Sequence, residues 1–106
     1  MRKVKNGWIT DEFGDKSHYV NNKLHNDDGP AVIFKNGSEQ YWKNGKSHRE
    51  DGPAIIVRNC FKEWHQNNEL HREDGPALEC DDGENFWYYK GKFIDCKSQD
   101  KFEKNN

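Results

Sequence analysis

The tripeptide Asp28-Gly29-Pro30 returns as Asp51-Gly52-Pro53 and Asp74-Gly75-Pro76, each time after a step of 23 residues. An alanine follows every proline, and the preceding residues read His-Asn-Asp-Asp at 25–28 and His-Arg-Glu-Asp at 48–51 and 71–74. A fixed period of roughly 20–50 residues indicates one structural unit stacked on copies of itself. The sequence therefore predicts one domain over residues 1–97, with copies at 6–28, 29–51, 52–74 and 75–97.

Each copy contains two strand-like runs separated by turn signals. The first run follows the proline and reads Ala-Val-Ile-Phe, Ala-Ile-Ile-Val or Ala-Leu-Glu-Cys. Asn36-Gly37 or Asp82-Gly83 then marks a hairpin turn, and an aromatic-rich run returns at about 39–43, 62–66 and 85–89. One turn column holds Gly14, Gly37, Cys60 and Gly83, which we expect to adopt a positive φ. The predicted fold is all-β, an elongated antiparallel sheet of tandem hairpins. Residues 98–106 are predicted to form either a short helix with Ser98 as its N-cap or a C-terminal tail.

Side-chain alternation gives a prediction for the buried face. Val32, Ile55 and Leu78 share one face with Phe34, Val57 and Cys80, and we expect that face to point inward. Ala31, Ala54 and Ala77 would then lie where the sheet is exposed or closely approached. Two adjacent ring columns must place aromatic side chains on both faces, either to cover a thin core or to form a binding stripe. The ring positions considered for binding are Tyr41, Trp42, Trp64, His65, Trp87 and Tyr88.

Composition limits the function classes. With 17 basic and 19 acidic residues the net charge is −2, so nucleic acid is a poor partner, and no 18-residue apolar stretch indicates a membrane span. Three cysteines, Cys60, Cys80 and Cys96, without paired spacing and without a signal segment favour a reducing cytoplasm. No nucleophile elbow, phosphate loop or EF-hand pattern is present. We therefore expect a non-enzymatic protein without a cofactor.

The repeated histidines raise the question of a metal site. His25, His48 and His71 follow the 23-residue step, so equivalent atoms would stand roughly 9.5 Å apart at about 4.8 Å per strand. Two ligands of one zinc ion lie at most about 4.2 Å apart, which excludes a shared ion along the column. The first interpretation is a structural role for the loops, in which Asp-Gly-Pro forms the turn and its glycine adopts a backbone conformation that proline cannot. In either interpretation, protonation of the histidines near their usual pKa of about 6.5 should alter the loops.

The second interpretation is a charged ridge that docks onto a partner. It comprises His25, His48, Arg49, His71 and Arg72 above Asp27, Glu50 and Glu73. Exchange of Arg49 and Arg72 for Glu would test this docking role. Unpaired sheet edges at the two ends of the array also leave homo-oligomers open.

The unit at 42–54 and 64–77, Trp/Tyr-x-x-Asn/Gly-x-x-His-Arg-x-Asp-Gly-Pro-Ala, resembles the MORN-like hairpin repeats of small phage, bacterial and large-DNA-virus proteins. The resemblance covers about residues 6–97 and implies consecutive hairpins in one twisted sheet, with a scaffold or binding role. We therefore predict a protein-binding module acting through the ridge and the aromatic column. The alternatives are a phage or viral inhibitor of a bacterial defence protein or toxin, acting in the host cytoplasm, and a sponge for a nucleotide or other small signal.

Overall fold

The computed structural model describes residues 4–94, which fold into short β-strands without a helix in that range. The strands are β1 Gly7–Thr10, β2 Lys16–Val20, β3 Lys23–Leu24, β4 Val32–Ile33, β5 Glu39–Gln40, β6 Trp42–Lys43, β7 Lys46–Ser47, β8 Ile55–Val57, β9 Phe61–Glu63, β10 His65–Gln66, β11 Glu69–Leu70, β12 Leu78–Cys80, β13 Asn85–Tyr89 and β14 Lys92–Ile94. The predicted C-terminal helix or tail lies outside the described residues.

The strands form one antiparallel sheet of ten strands and two small sheets beside it. The large sheet runs in the order β1-β2-β4-β5-β8-β9-β12-β13-β14, with β3 paired to β2. The small sheets are the hairpins β6-β7 and β10-β11. The molecule measures 53 × 26 × 20 Å. The all-β antiparallel prediction is confirmed, and the order of the strands is consistent with consecutive hairpin repeats.

Equivalent strands recur at the 23-residue step, three strands to a copy. In the first and fourth copies the second strand is continuous, as β2 and β13. In the two central copies it is interrupted at Tyr41 and at Trp64. These residues still pair with the next copy, because their backbone N–H groups donate to the carbonyls of Ala54 and Ala77 at 2.7 Å. The ring residue therefore joins the large sheet to the small hairpin.

Two kinds of turn connect the strands within a copy. The second and third strands are joined by two residues of positive φ, such as Asn44 at 50° and Gly45 at 79°, which is the pattern of a type I′ hairpin. The other turn uses a glycine of positive φ in three copies, for example Gly37 at 93°. The third copy differs from our prediction: Asn59 has the positive φ of 60°, and Cys60 does not.

The most buried column is the alanine column. Ala31, Ala54 and Ala77 are each 0 % exposed, whereas on the opposite face Val32 is 6 % exposed and Ile55 and Leu78 are half-buried. Both faces therefore carry buried residues: the prediction of a single inner face requires correction, and of the two positions expected for the alanines, exposed or closely approached, the structure has the second. The cross-strand register places each alanine between two ring residues on neighbouring strands, as Ala54 lies between Tyr41 and Trp64. A small side chain is needed there because the rings on both sides occupy the space.

Candidate functional site

Three equivalent loops, at 25–28, 48–51 and 71–74, form the loop ridge. Each loop leaves the third strand of its copy and leads through Asp-Gly-Pro into the first strand of the next copy. Its histidine N–H donates back to the carbonyl of the ring residue, as from His48 to Tyr41 at 3.1 Å and from His71 to Trp64 at 2.9 Å. Each of these two loops is therefore attached to the backbone of the ring residue in its own copy.

The ridge histidines point into the structure. Each Nδ1 accepts a hydrogen bond from a backbone N–H in the turn of the following copy. The donors are Asn44, Asn67 and Lys90, at 3.0, 3.2 and 2.8 Å from His25, His48 and His71. Because Nδ1 accepts, the neutral ring holds its proton on Nε2, which faces the carboxylate two residues later. Each histidine thus connects one copy to the next.

The two ridge arginines also make contacts within the fold. The Arg49 guanidinium lies 3.9 Å from the centre of the Tyr41 ring, and Arg72 lies 4.0 Å from that of Trp64. Nη1 of Arg49 donates to the Pro53 carbonyl at 3.0 Å, and Arg72 makes the equivalent bond. Each arginine therefore links the ring of its own copy to the first strand of the next copy.

The glycines of Asp-Gly-Pro have a different role from the one we predicted. They are absent from the positive-φ residues of the described chain, so they do not supply a left-handed conformation. A Cβ on Gly52 would stand 2.9 Å from Cζ of Arg49, and one on Gly75 would stand 2.8 Å from Cζ of Arg72. Glycine is needed there because the guanidinium packs against the backbone.

The arginines also bond the aspartates of the motif. Nε of Arg49 donates to Asp51 at 3.2 Å, and Nε of Arg72 donates to Asp74 at 2.9 Å. In addition, Nη1 of Arg72 donates to a carboxylate oxygen of Glu79 in the next copy at 3.2 Å. An exchange of either arginine for glutamate would therefore remove structural contacts as well as a surface charge.

The outward part of the ridge is acidic. Side-chain exposure is 74 % for Asp27, 78 % for Glu50 and 72 % for Glu73, against 7–15 % for the three histidines and 21–25 % for the two arginines. Asp51 and Asp74 are 90 % and 87 % exposed. The ridge therefore presents carboxylates to solvent, while its cationic and imidazole groups are turned toward the sheet.

Two open grooves separate consecutive loops of the ridge. One, of about 430 Å³, lies between the first two loops and has Tyr41 and Arg49 in its wall. The other, of about 590 Å³, lies between the second and third loops and has Trp64 and Arg72 in its wall. Both are rimmed by the ridge carboxylates. The repeat thus places two similar acidic grooves side by side.

The predicted aromatic positions divide between the two faces. Tyr41 and Trp64 lie under the arginines, and Trp87 is only 8 % exposed. On the other face, Nε1 of Trp42 donates to Gln40 at 3.0 Å. There the Tyr88 ring packs 5.6 Å from that of Phe93. The ring columns therefore mainly build the sheet, and their accessible surface is limited.

His65 belongs to a polar cluster that sequence reasoning did not identify. Its Nδ1 lies 2.8 Å from Oγ of Ser47 and its Nε2 lies 2.9 Å from Oε1 of Glu63. The sequence contains one signal for this cluster, because Ser47 is a polar residue in a repeat column that otherwise holds Leu24, Leu70 and Phe93. Although the connectivity resembles that of a hydrolase triad, Ser47 is 4 % exposed, so a substrate carbonyl cannot reach its Oγ in this arrangement.

The remaining reactive groups are the thiols. Cys60 is exposed and Cys80 half-buried, and both are free. Desolvation raises the pKa of the Cys80 thiol, and the carboxylates of Asp82 and Glu84 add to the effect. Within residues 4–94, no group of three or more His, Cys, Asp or Glu side chains is arranged to hold a metal ion. No helix in that range is long and apolar enough to cross a membrane.

Comparison with known proteins gives no relative: no family model, no curated protein and no solved structure matches this chain.

Proposed function

We propose that this chain is a non-enzymatic repeat module that binds a protein partner through the exposed carboxylates of the loop ridge. The observation that supports this function is the division of the ridge into inward and outward groups. The histidines and arginines are 7–25 % exposed and bonded within the sheet, whereas the carboxylates of Asp27, Glu50 and Glu73 are 72–78 % exposed. A complementary partner surface carries lysine or arginine.

Repetition makes weak contacts effective. Each groove offers the same kind of rim, and the two grooves follow one another along the ridge. A single exposed ion pair contributes only about 0–1 kcal/mol, so one loop would bind weakly. Several loops held on one sheet act on a partner together, because the second contact forms at a high effective concentration.

The proposal includes membership of the MORN-like repeats and a cytoplasmic location. Its more specific form is a phage or viral effector that inhibits a bacterial defence protein or toxin, and it is supported by small size and by the resemblance of the repeat. The small-molecule alternative has weaker support. Stacking of a nucleotide on Tyr41 or Trp64 would first require displacement of the arginine that covers the ring.

The test begins with affinity purification from a bacterial lysate and mass spectrometry, followed by binding measurements on the recovered protein. Glu50→Gln with Glu73→Gln removes two exposed charges and keeps an oxygen near each histidine. We expect roughly tenfold lower affinity, mainly through slower association, and a smaller difference at high salt. The matched control is Asp81→Asn with Glu84→Gln, two exposed carboxylates outside the ridge.

Unchanged affinity in the folded ridge variant would contradict the assigned surface. Recovery of no stoichiometric protein, together with thermal stabilisation by a nucleotide panel, would favour the small-molecule alternative instead.

A further inference from the structure

One hairpin of the repeat carries two like charges face to face. Across the turn Asn44-Gly45, β6 and β7 place Lys43 directly opposite Lys46. Like charges in directly opposite positions of an antiparallel pair destabilise it. The equivalent pairs in the first, third and fourth copies are Val20 with Lys23, Gln66 with Glu69 and Tyr89 with Lys92. Among these four pairs, only the one in the second copy repels itself.

The positive charges of this hairpin have no ion-pair partner within residues 4–94. Every ion pair formed in that range has an arginine or a histidine as its cation, and both Lys43 and Lys46 are exposed. A third lysine lies beside the same turn, because carbons of the Lys23 side chain stand 3.8 Å from the position of a Cβ on Gly45. The turn therefore gathers three positive charges to which no carboxylate of the described chain is paired.

The facing lysines border a groove of about 310 Å³ between the second and third copies. The residues that line it are Lys43, Asn44, Lys46, His48 and Asn67. Nδ1 of His48 already accepts the N–H of Asn67, so it offers the groove no acceptor. The side-chain amides of Asn44 and Asn67 take part in none of the hydrogen bonds formed within residues 4–94, and each amide carries two N–H donors. Donors and positive charge therefore predominate in this groove.

We propose that this groove binds the phosphate groups of a small molecule, with Lys43 and Lys46 each meeting one phosphoryl group. An ammonium group has three donors and no acceptor, and phosphate oxygens are strong acceptors that carry the opposite charge. Because facing Cβ atoms stand about 4.5–5.5 Å apart, a ligand with two linked phosphoryl groups can contact both lysines and remove their mutual repulsion. The groove lies at the small end of the range for ligand pockets, about 300–1,000 Å³, which favours a small molecule over an acidic protein segment.

This phosphate site differs from the partner surface proposed for the ridge. Lys43 borders both the phosphate groove and the first ridge groove, but Lys46 and Asn67 border the phosphate groove and neither of the two ridge grooves. Glu50 borders both ridge grooves and not this one. The site also needs no aromatic ring, so the arginine that covers Tyr41 stays in place. The inference therefore does not rest on the proposed protein partner.

The test is isothermal titration calorimetry of the full chain with inorganic pyrophosphate at constant ionic strength. We expect one pyrophosphate per chain, and binding about tenfold weaker or more in the variant Lys43→Gln with Lys46→Gln, because each lost contact is a charge-assisted hydrogen bond. Glutamine already occupies the position of Lys43 in the third copy, as Gln66, so the hairpin accepts it. Titration with ADP separates the two sources of the phosphate groups: a nucleotide ligand predicts that ADP binds more tightly than pyrophosphate, and an inorganic ligand predicts the reverse.

Lys16→Gln with Lys62→Gln is the matched control, since it also removes two exposed lysine charges, from strands of the large sheet. It should change the affinity by about twofold or less, because exposed charges at a distance are screened by salt. Circular dichroism establishes that each variant is folded. A wild-type chain that binds no pyrophosphate, an unchanged affinity in the groove variant, or an equal loss in the control would overturn the proposal. An acidic peptide that binds where pyrophosphate does not would assign the groove to a protein segment and overturn it as well.

Discussion

The first copy and the two central copies share a backbone plan but differ in how their loops are attached to the sheet. In the first copy, the Asn26 amide donates to the Pro30 carbonyl at 3.0 Å. In the second copy, Arg49 makes the same bond to Pro53 and also covers the Tyr41 ring. Both copies therefore supply a side-chain donor for the proline carbonyl. Arginine adds a contact with the ring, which the terminal copy does without.

The largest expected effect lies in the alanine column. Ala54→Leu adds three carbons where the present side chain is 0 % exposed and is placed between two ring-bearing strands. We expect a loss of about 3 kcal/mol in the free energy of unfolding, at the upper end of the usual cost of overpacking. Urea unfolding followed by tryptophan fluorescence measures it.

The control for this substitution occupies the same column of the first copy. Trp8→Leu changes a side chain that is 47 % exposed, so we expect a cost of about 1 kcal/mol or less. Equal losses at the two positions would show that the alanine column is not closely packed between rings.

The second expected effect concerns the arginines. Arg72→Ala removes the contact with Trp64, the bond to the Pro76 carbonyl and the contact with Glu79. We expect a loss of about 2 kcal/mol, since a hydrogen bond from a charged group and a partly buried cation–π contact each contribute on the order of 1 kcal/mol or more. The bond to Asp74 adds little because that carboxylate is 87 % exposed.

Asn26→Ala is the matched change in the first copy. It removes two neutral hydrogen bonds, the one to the Pro30 carbonyl and an exposed one that Oδ1 accepts from the Asp28 N–H, so the expected loss is about 1 kcal/mol, measured by the same urea titration. An Arg72→Ala variant no less stable than Asn26→Ala would mean that the ring contact contributes nothing.

Much of the fold could be predicted because it depends on local rules. The period of 23 residues, the Asn-Gly and Asp-Gly turns and the aromatic return strands are visible in the sequence, and the structure has an antiparallel sheet with turns at those positions. The interruption of the second strand at Tyr41 and Trp64 could not be predicted. It depends on how the small hairpin turns away from the large sheet, which is a tertiary property.

The ridge could be located from the sequence, but the direction of its side chains could not. His48 and Arg49 read as surface groups because they stand among acidic residues. Their positions depend on one donor 19 residues away, the N–H of Asn67, on one acceptor in the next copy, the carbonyl of Pro53, and on the Tyr41 ring. The complete burial of the alanines could not be predicted either, since alternation along one strand does not report which rings the neighbouring strands place beside it.

The smallest expected effect is the loss of stability on Gly52→Ala, which we compare with Gly29→Ala in the equivalent Asp-Gly-Pro turn. Gly52→Ala places a Cβ 2.9 Å from Cζ of Arg49, so the guanidinium must move away from Tyr41 and Pro53. Because the side chain can move, the cost cannot exceed that of losing the arginine contacts, and we expect about 1 kcal/mol.

At Gly29 no atom lies within 4 Å of an added Cβ, since Asn26 replaces the arginine. Gly29→Ala should therefore leave the urea midpoint unchanged or raise it slightly, because alanine restricts the unfolded chain. In an Arg49→Ala background the cost of Gly52→Ala should also disappear. If it persisted there, the glycine would be required by the backbone of the turn, and the contact with the guanidinium would not be the reason for it.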